Sequence, residues 1–258
     1  MLRNISDLKG SEVVATDGEV GAIEHVYFDD LTWGVRYLAV NAGSWLSERR
    51  VLISPHSIVP GDEFSQTVHV KLSRQQVKDS PTIDTHQPVS RQHEGYLLGY
   101  YGYPPYWQGP SFWGMGGFLD EGLIGSEPIA DGSVLTSLNQ HTDVRAADSH
   151  LWSADEVRSY QIEAADGNIG HVSGFLFDDV TWVIRYLTVD TRSWWIGGND
   201  VLLATAWIDG IDLVTRCVST DLLRNTIKDS PAYNHAAPIK RGYETQLHHF
   251  YGKRGYWF

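Results

Sequence analysis

The chain of 258 residues has one cysteine, two methionines and only 20 lysines and arginines against 32 acidic residues. The lone Cys217 excludes an intrachain disulfide and reads as the mark of a reducing compartment. A net charge of −12, with the acidic excess spread along the whole length, leaves no basic face to neutralise phosphates. Nucleic acid is therefore not an expected partner, and docking on an anionic membrane surface is disfavoured. No run of about 18 apolar residues occurs, so no membrane-spanning helix is expected. Met1–Asp7 lacks the apolar core of a secretion signal, and a cytoplasmic location is expected.

Aromatic residues, by contrast, abound: ten Trp and thirteen Tyr, a content that suits strands better than helices. The sequence also repeats itself. Residues 17–40 align without a gap to 166–189 with 12 of 24 positions identical, among them Asp17/Asp166, Gly18/Gly167, Gly21/Gly170, Trp33/Trp182 and Arg36/Arg185. Lys78–Pro81 recurs as Lys228–Pro231, and the spacing Glu94, Leu97, Tyr101, Tyr106, Trp107 recurs as Glu244, Leu247, Tyr251, Tyr256, Trp257. The expected organisation is a first repeat over 1–107, an acidic linker rich in glycine and aromatics over 108–149, and a second repeat over 150–258.

Within a copy, Asp17-Gly18 and Asp166-Gly167 are tight-turn dipeptides between β-compatible runs. The preceding strands are expected at Glu12–Ala15 and Tyr160–Ala164, the following ones at Val20–Phe28 and Ile169–Phe177. Gly21 and Gly170 fall inside those long strands, where a glycine marks a bulge or bend. Partner strands follow at Trp33–Asn41 and Trp182–Asp190, then short ones at Val51–Ile53, Val68–Lys71, Val201–Ala204 and Leu213–Cys217. Each copy adds one brief helix, Ser73–Val77 in the first and Thr220–Ile227 with Ser219 as cap in the second. The expected class is mainly β: two tandem small antiparallel barrels, each with one short helix and an aromatic C-terminal arm.

The series Asp-Gly-x-x-Gly, an apolar run, Asp-Asp-x-Thr-Trp and Arg-Tyr-Leu-x-Val resembles the core of the PRC-barrel family. That family includes the cytoplasmic barrel of the photosynthetic reaction-centre H subunit and the C-terminal domain of a ribosome-maturation factor. The resemblance implies a non-enzymatic scaffold or adaptor that presents its barrels to a protein assembly, with a link to reaction-centre or electron-transfer complexes. It implies no catalytic residue.

Individual constellations fit a structural reading. Asp29-Asp30 and Asp178-Asp179 lie side by side in sequence, where neighbouring side chains diverge, and are expected to shape hairpin turns rather than share a proton or metal. Arg36 and Arg185, in apolar strands, need a carboxylate: a turn aspartate, or Glu94 and Glu244. No helical His-x-x-x-His pair or Cys/His cluster appears; His235, His248 and His249 are the residues a metal would have to use, and neither metal nor cofactor is expected. The aromatic arms are expected to pack as strand-like or turn-rich segments between the barrels or across a homodimer interface. Trp107, Trp113, Trp194, Trp195, Tyr251, Tyr256 and Trp257 are the candidate interaction surface for an unidentified protein partner. The alternative is a small-ligand or carbohydrate binder that stacks its ligand on those rings.

Overall fold

The computed structural model describes residues 1–46, 49–59, 66–81, 91–107, 151–192, 194 and 197–257. The linker over 108–149, with Trp113, and also Trp195 lie outside the described residues. In chain order the strands are β1 (Leu2–Asn4), β2 (Glu12–Ala15), β3 (Gly18–Asp29), β4 (Val35–Asn41), β5 (Arg50–Ile53), β6 (Thr67–His69), β7 (Leu151–Ser153), β8 (Gln161–Ala164), β9 (Gly167–Asp178), β10 (Val183–Asp190), β11 (Asp200–Ala204), β12 (Ile208–Asp212) and β13 (Cys217–Thr220). The helices are α1 (Arg74–Asp79), α2 (Arg91–Tyr101), α3 (Ala154–Val157), α4 (Arg224–Lys228) and α5 (Arg241–Phe250). Among the described residues, no helix is long and apolar enough to cross a membrane.

Among the described residues the protein is mainly β, with two sheets. One runs β5-β4-β3-β2-β6 with β7 added on β3; the other runs β11-β10-β9-β8-β13-β12 with β1 added on β9. Neither hydrogen-bonded path closes among the described residues. The edge strands β11 and β12 are consecutive in sequence, joined by the 3-10 turn Thr205–Trp207. One pairing in each sheet, β2 with β6 and β8 with β13, is parallel, where antiparallel pairing was expected. The cause is topological: β6 and β13 return to the free side of β2 and β8 only after the intervening strands have been laid down.

Two local expectations change. Of the expected strand Leu213–Cys217, residues 213–216 form a turn: the Asp212 carboxylate accepts from the Thr215 amide at 2.7 Å, and β13 starts at Cys217. Thr220 belongs to β13, opposite Ile208, so the helix begins only at Arg224 and Ser219 does not cap it. Its first amide instead donates to Asp166 of the Asp-Gly turn at 2.8 Å, as Arg74 donates to Asp17 at 2.7 Å. One turn aspartate per copy thus fixes both a hairpin and the start of a helix.

Gly21 and Gly170 do bend the long strands. Both have positive φ, and a Cβ at Gly21 would lie 1.8 Å from the Asn41 carbonyl oxygen. At the far end of each long strand the chain turns through Trp33 and Trp182, non-glycine residues at φ 60 and 56. That left-handed geometry costs on the order of 1 kcal/mol. Burial of both rings, Trp33 stacked on Phe28 and Trp182 tilted on Phe177, offsets it.

The compact units cross the repeat boundaries. One comprises Leu8–Trp152, here the N-terminal unit; the other, the C-terminal unit, comprises Met1–Asp7 with Ser153–Phe258. The leading strand of the first repeat, β1, pairs with β9 in the register Leu2↔Asp178, Arg3↔Phe177, Asn4↔Leu176. The equivalent strand of the second repeat, β7, pairs with β3. Leu151 is buried in one cluster with Tyr37, Ala39, Leu52 and Leu97, all of the first repeat. Each repeat therefore lends its first strand to the other's sheet.

Deleting residues 1–6 removes about three ladder bonds at about 1 kcal/mol each. The C-terminal unit should lose about 1–3 kcal/mol while residues 8–152 are unaffected. Hydrogen exchange resolved by peptide should show faster exchange across Gly167–Asp178 and none across Gly18–Asp29; equal acceleration in both would contradict the exchanged pairing.

Candidate functional site

The residues singled out by the repeat converge where each arm meets its sheet. In the N-terminal unit the turn after β3 is held by Asp29, whose carboxylate accepts from the amides of Leu31 and Thr32 at 3.2 and 2.8 Å and from the Thr32 hydroxyl. Arg36 Nε donates to the same carboxylate at 2.6 Å, with both side chains almost wholly buried. The guanidinium carbon lies over the ring of Tyr106, 3.8 Å from its centroid. Tyr106 donates to Glu94 of α2 at 2.5 Å, and Tyr37 from β4 donates to the same oxygen at 3.4 Å. A continuous polar chain thus ties hairpin turn, sheet and arm together.

The C-terminal unit repeats the skeleton with different fittings. Asp178 accepts from the Val180 amide, and Arg185 stands 3.8 Å from it, over the ring of Tyr256. Tyr256 and Tyr186 both donate to Glu244 Oε1, at 2.8 and 3.1 Å, while Arg241 pairs with Oε2 at 3.0 Å. His248 adds a member: its Nδ1 donates to the Arg254 carbonyl and its Nε2 faces the Tyr186 hydroxyl, both at 2.9 Å. Burial pulls His248 below the ordinary histidine value, so Nε2 is an acceptor at neutral pH. The single phenol proton of Tyr186 then serves either Nε2 or Glu244. Desolvation, then the neighbouring glutamate, raises Tyr37 and Tyr186 well above the usual phenol range, and burial pushes Tyr256 up to about 12. These hydroxyls stay protonated and donate.

The arms are helices, α2 and α5, not strand-like segments. Glu94, Leu97 and Leu98, like Glu244, Leu247 and His248, are buried at three- and four-residue spacing. Each helix is tied to its own unit near the Lys-Asp-Ser-Pro box: Tyr100 donates to the Gln76 carbonyl of α1 at 2.8 Å, and Tyr243 to that of Pro231 at 3.0 Å. Tyr251 is buried against Trp207, ring centroids 4.5 Å apart. Trp107 and Trp257 are half-buried with their rings edge-on to Tyr106 and Tyr256, and Trp194 is exposed. Asp30 and Asp179 are half-buried, and Asp179 pairs with the Met1 amino group, which also stands 3.8 Å from Asp178.

The histidines do not gather. His235 pairs with Asp200 at 2.9 Å, His248 is buried in the clamp and His249 is exposed. Among the described residues no three His, Cys, Asp or Glu are arranged to hold a metal. Two contributors escaped the sequence reading: Trp207, which shares a ring contact with His248 at 4.9 Å, and His56, which stacks on Tyr103 at 5.2 Å. His248, considered from sequence only as a metal ligand, carried a signal of its buried place in the helical spacing Glu244, Leu247, His248.

The depths of the two ion pairs separate them energetically. Removing one partner of a fully buried pair costs about 3–5 kcal/mol, whereas a partly solvated pair at 3.8 Å is worth under about 1 kcal/mol. Asp29→Ala should therefore destabilise the N-terminal unit by the larger amount and Asp178→Ala the C-terminal unit by the smaller. Denaturant melts with unit-resolved hydrogen exchange read both; equal losses would show that the depth of the pair is not what matters.

His56 supplies a pH dependence. Burial, helped by the charge of Arg36, pulls it from 6.5 to about 4. The unfolded chain takes its proton near 6.5 and the folded chain only near 4, so the stabilisation is complete above 6.5 and is lost as pH falls towards 4. His56→Phe keeps a ring against Tyr103 without the titration. The stability gap between wild type and variant should shift in the variant's favour from pH 7 to 5; a constant gap would show that folding leaves the proton affinity of His56 unchanged.

Residues 2–72 match the family model of the PRC-barrel domain, a stretch that runs from β1 to just before α1. No curated protein matches the chain. The strand order, the Asp-Gly turn, the glycine bend and the Asp-Asp-x-Thr-Trp hairpin all fall within the matched stretch. Residues 2–72 are thus the part of the chain that is similar to the PRC-barrel domain.

Proposed function

We propose that the protein is a non-enzymatic adaptor: two PRC-like barrels, each closed by a helical arm, offering their surfaces to a protein partner. One observation carries this reading. The side chains best equipped for chemistry are bound to one another inside each unit: Asp29 to Arg36, Glu94 to Tyr37 and Tyr106, and Glu244 to Tyr186, Tyr256 and Arg241. The barrel part of the proposal is supported by the short turn that brings β11 and β12, opposite edges of one sheet, together. The inward rings of Tyr106 and Tyr251 support a structural role for the arms over stacking of a carbohydrate or other small ligand. The half-buried single Cys217 fits a reducing, cytoplasmic setting.

Surfaces that could meet a partner recur at equivalent places. Leu31 and Val180, at the tips of the Asp-Asp hairpins, are 68% and 64% exposed. Affinity capture from the native cell, with wild-type bait beside a Leu31→Glu/Val180→Glu bait of unchanged melting temperature, tests the proposal. A stoichiometric protein retained by the first bait and lost from the second is expected. Subunits of reaction-centre or electron-transfer assemblies, which the family resemblance implies, would be identified in the same experiment. Substrate turnover by the purified chain, or no protein distinguishing the two baits, would overturn it.

A further inference from the structure

The PRC-barrel match begins at residue 2, so the leading strand belongs to the matched domain, yet in this chain β1 completes the sheet of the C-terminal unit. The second repeat does the same in return, with β7 on β3 and Leu151 in the core of the N-terminal unit. Two observations show that the exchanged strand is bound and not merely adjacent. β1 is in continuous register over three residues with the end of β9, and the Asp179 amide extends the ladder by donating to the Met1 carbonyl at 3.0 Å. Leu151 is 8% exposed, with its neighbours drawn from β4, β5 and α2.

We propose that the edge beside the far half of the long strand is a docking site whose ligand is the leading strand of a second copy of this repeat. Reciprocal strand docking, rather than the covalent linker alone, then holds the two repeats together. The chemistry of recognition is β-addition: backbone hydrogen bonds supply the affinity. An apolar residue in the first place of the strand, Leu2 or Leu151, supplies the side-chain anchor. The site is selective for its own kind because each occupant is followed at once by a helical turn, Ile5–Leu8 or Ala154–Val157. The last residues of those turns, Leu8 and Val157, are buried. A strand without that anchored turn would have to be ordered along its whole length at the moment of binding.

The test uses the full chain with a protease site inserted after Ala130, within the linker, and Cys217→Ser with Leu2→Cys and Asp178→Cys, which are register partners. After complete cleavage, the fragments should co-elute one-to-one at the mass of the uncut chain. Under mild oxidation they should become joined through the introduced pair in most molecules. The same cleaved chain lacking residues 1–6 and carrying Leu151→Gly and Trp152→Gly should separate, with at least a tenfold weaker association. Separation of the fragments with both strands intact, or absence of the cross-link, would overturn the proposal. Undiminished co-elution without the strands would overturn it too, because something else would then hold the halves.

Discussion

A twelve-residue strand is longer than its first neighbour can cover, and most of this architecture follows from that. β3 and β9 each span about 40 Å of extended chain, whereas β2 and β8 have only four residues. The near half of each long strand pairs with its own hairpin partner. The far half needs another strand on that side, or it would present bare amides and carbonyls to solvent. The glycine bend at Gly21 and Gly170 is what lets one strand lie in both environments. There the backbone passes so close to the Asn41 and Asp190 carbonyls that no side chain fits. The leading strand of the other repeat fills the remaining edge.

The same skeleton closes differently in the two units. In the N-terminal unit a fully buried Arg36–Asp29 pair links turn to arm, and His56 with Tyr103 covers the adjoining surface. In the C-terminal unit Arg185 is looser on Asp178, while Arg241 and His248, both on α5, take part in the clamp. The positions aligned with His56 and Ser57 carry Ala206 and Trp207, and Trp207 packs on Tyr251 and His248. The ring lost at one position is thus replaced by a larger one next to it. What both units keep is a glutamate receiving two phenols, one from the sheet and one from the arm. Such a cluster is stable because each buried carboxylate is met by donors of the right sense.

What could be read from the sequence was local chemistry. Asp-Gly announces a tight turn wherever it stands, and glycine in a long apolar run announces a bend. Asp29 and Asp178 behave as turn formers because their carboxylates sit within reach of amides two or three residues on. The arms were misjudged because ring content suggested strands, although Glu94, Leu97, Leu98 and Tyr101 recur with helical spacing. Where two local signals conflict, spacing is the better guide, since it reports which side of the element is buried. Leu213–Cys217 failed for a related reason: apolar Leu213 and Val214 are exposed at the tip of a turn that Asp212 closes. The left-handed Trp33 and Trp182 carried no signal, for their geometry is held by ring burial contributed from elsewhere in the unit.

The strand exchange was beyond the reach of local patterns for a deeper reason. Leu2–Asn4 and Leu151–Ser153 occupy equivalent places in the repeat, so each carries the same instruction to form a short strand. Nothing within three residues says which of two near-identical edges it should join. That choice is made by chain connectivity and by the direction in which the following helical turn leads. Because both edges are tethered in one molecule, the effective concentration of each strand is high and its docking is opposed by little translational entropy. Exchange also couples the repeats. The core around Tyr37 and Leu97 is complete only when a residue of the second repeat, Leu151, is in place. The duplication is therefore not two independent domains on a string: each sheet is finished by the other's sequence, and the stability of either unit depends on residues outside its own repeat.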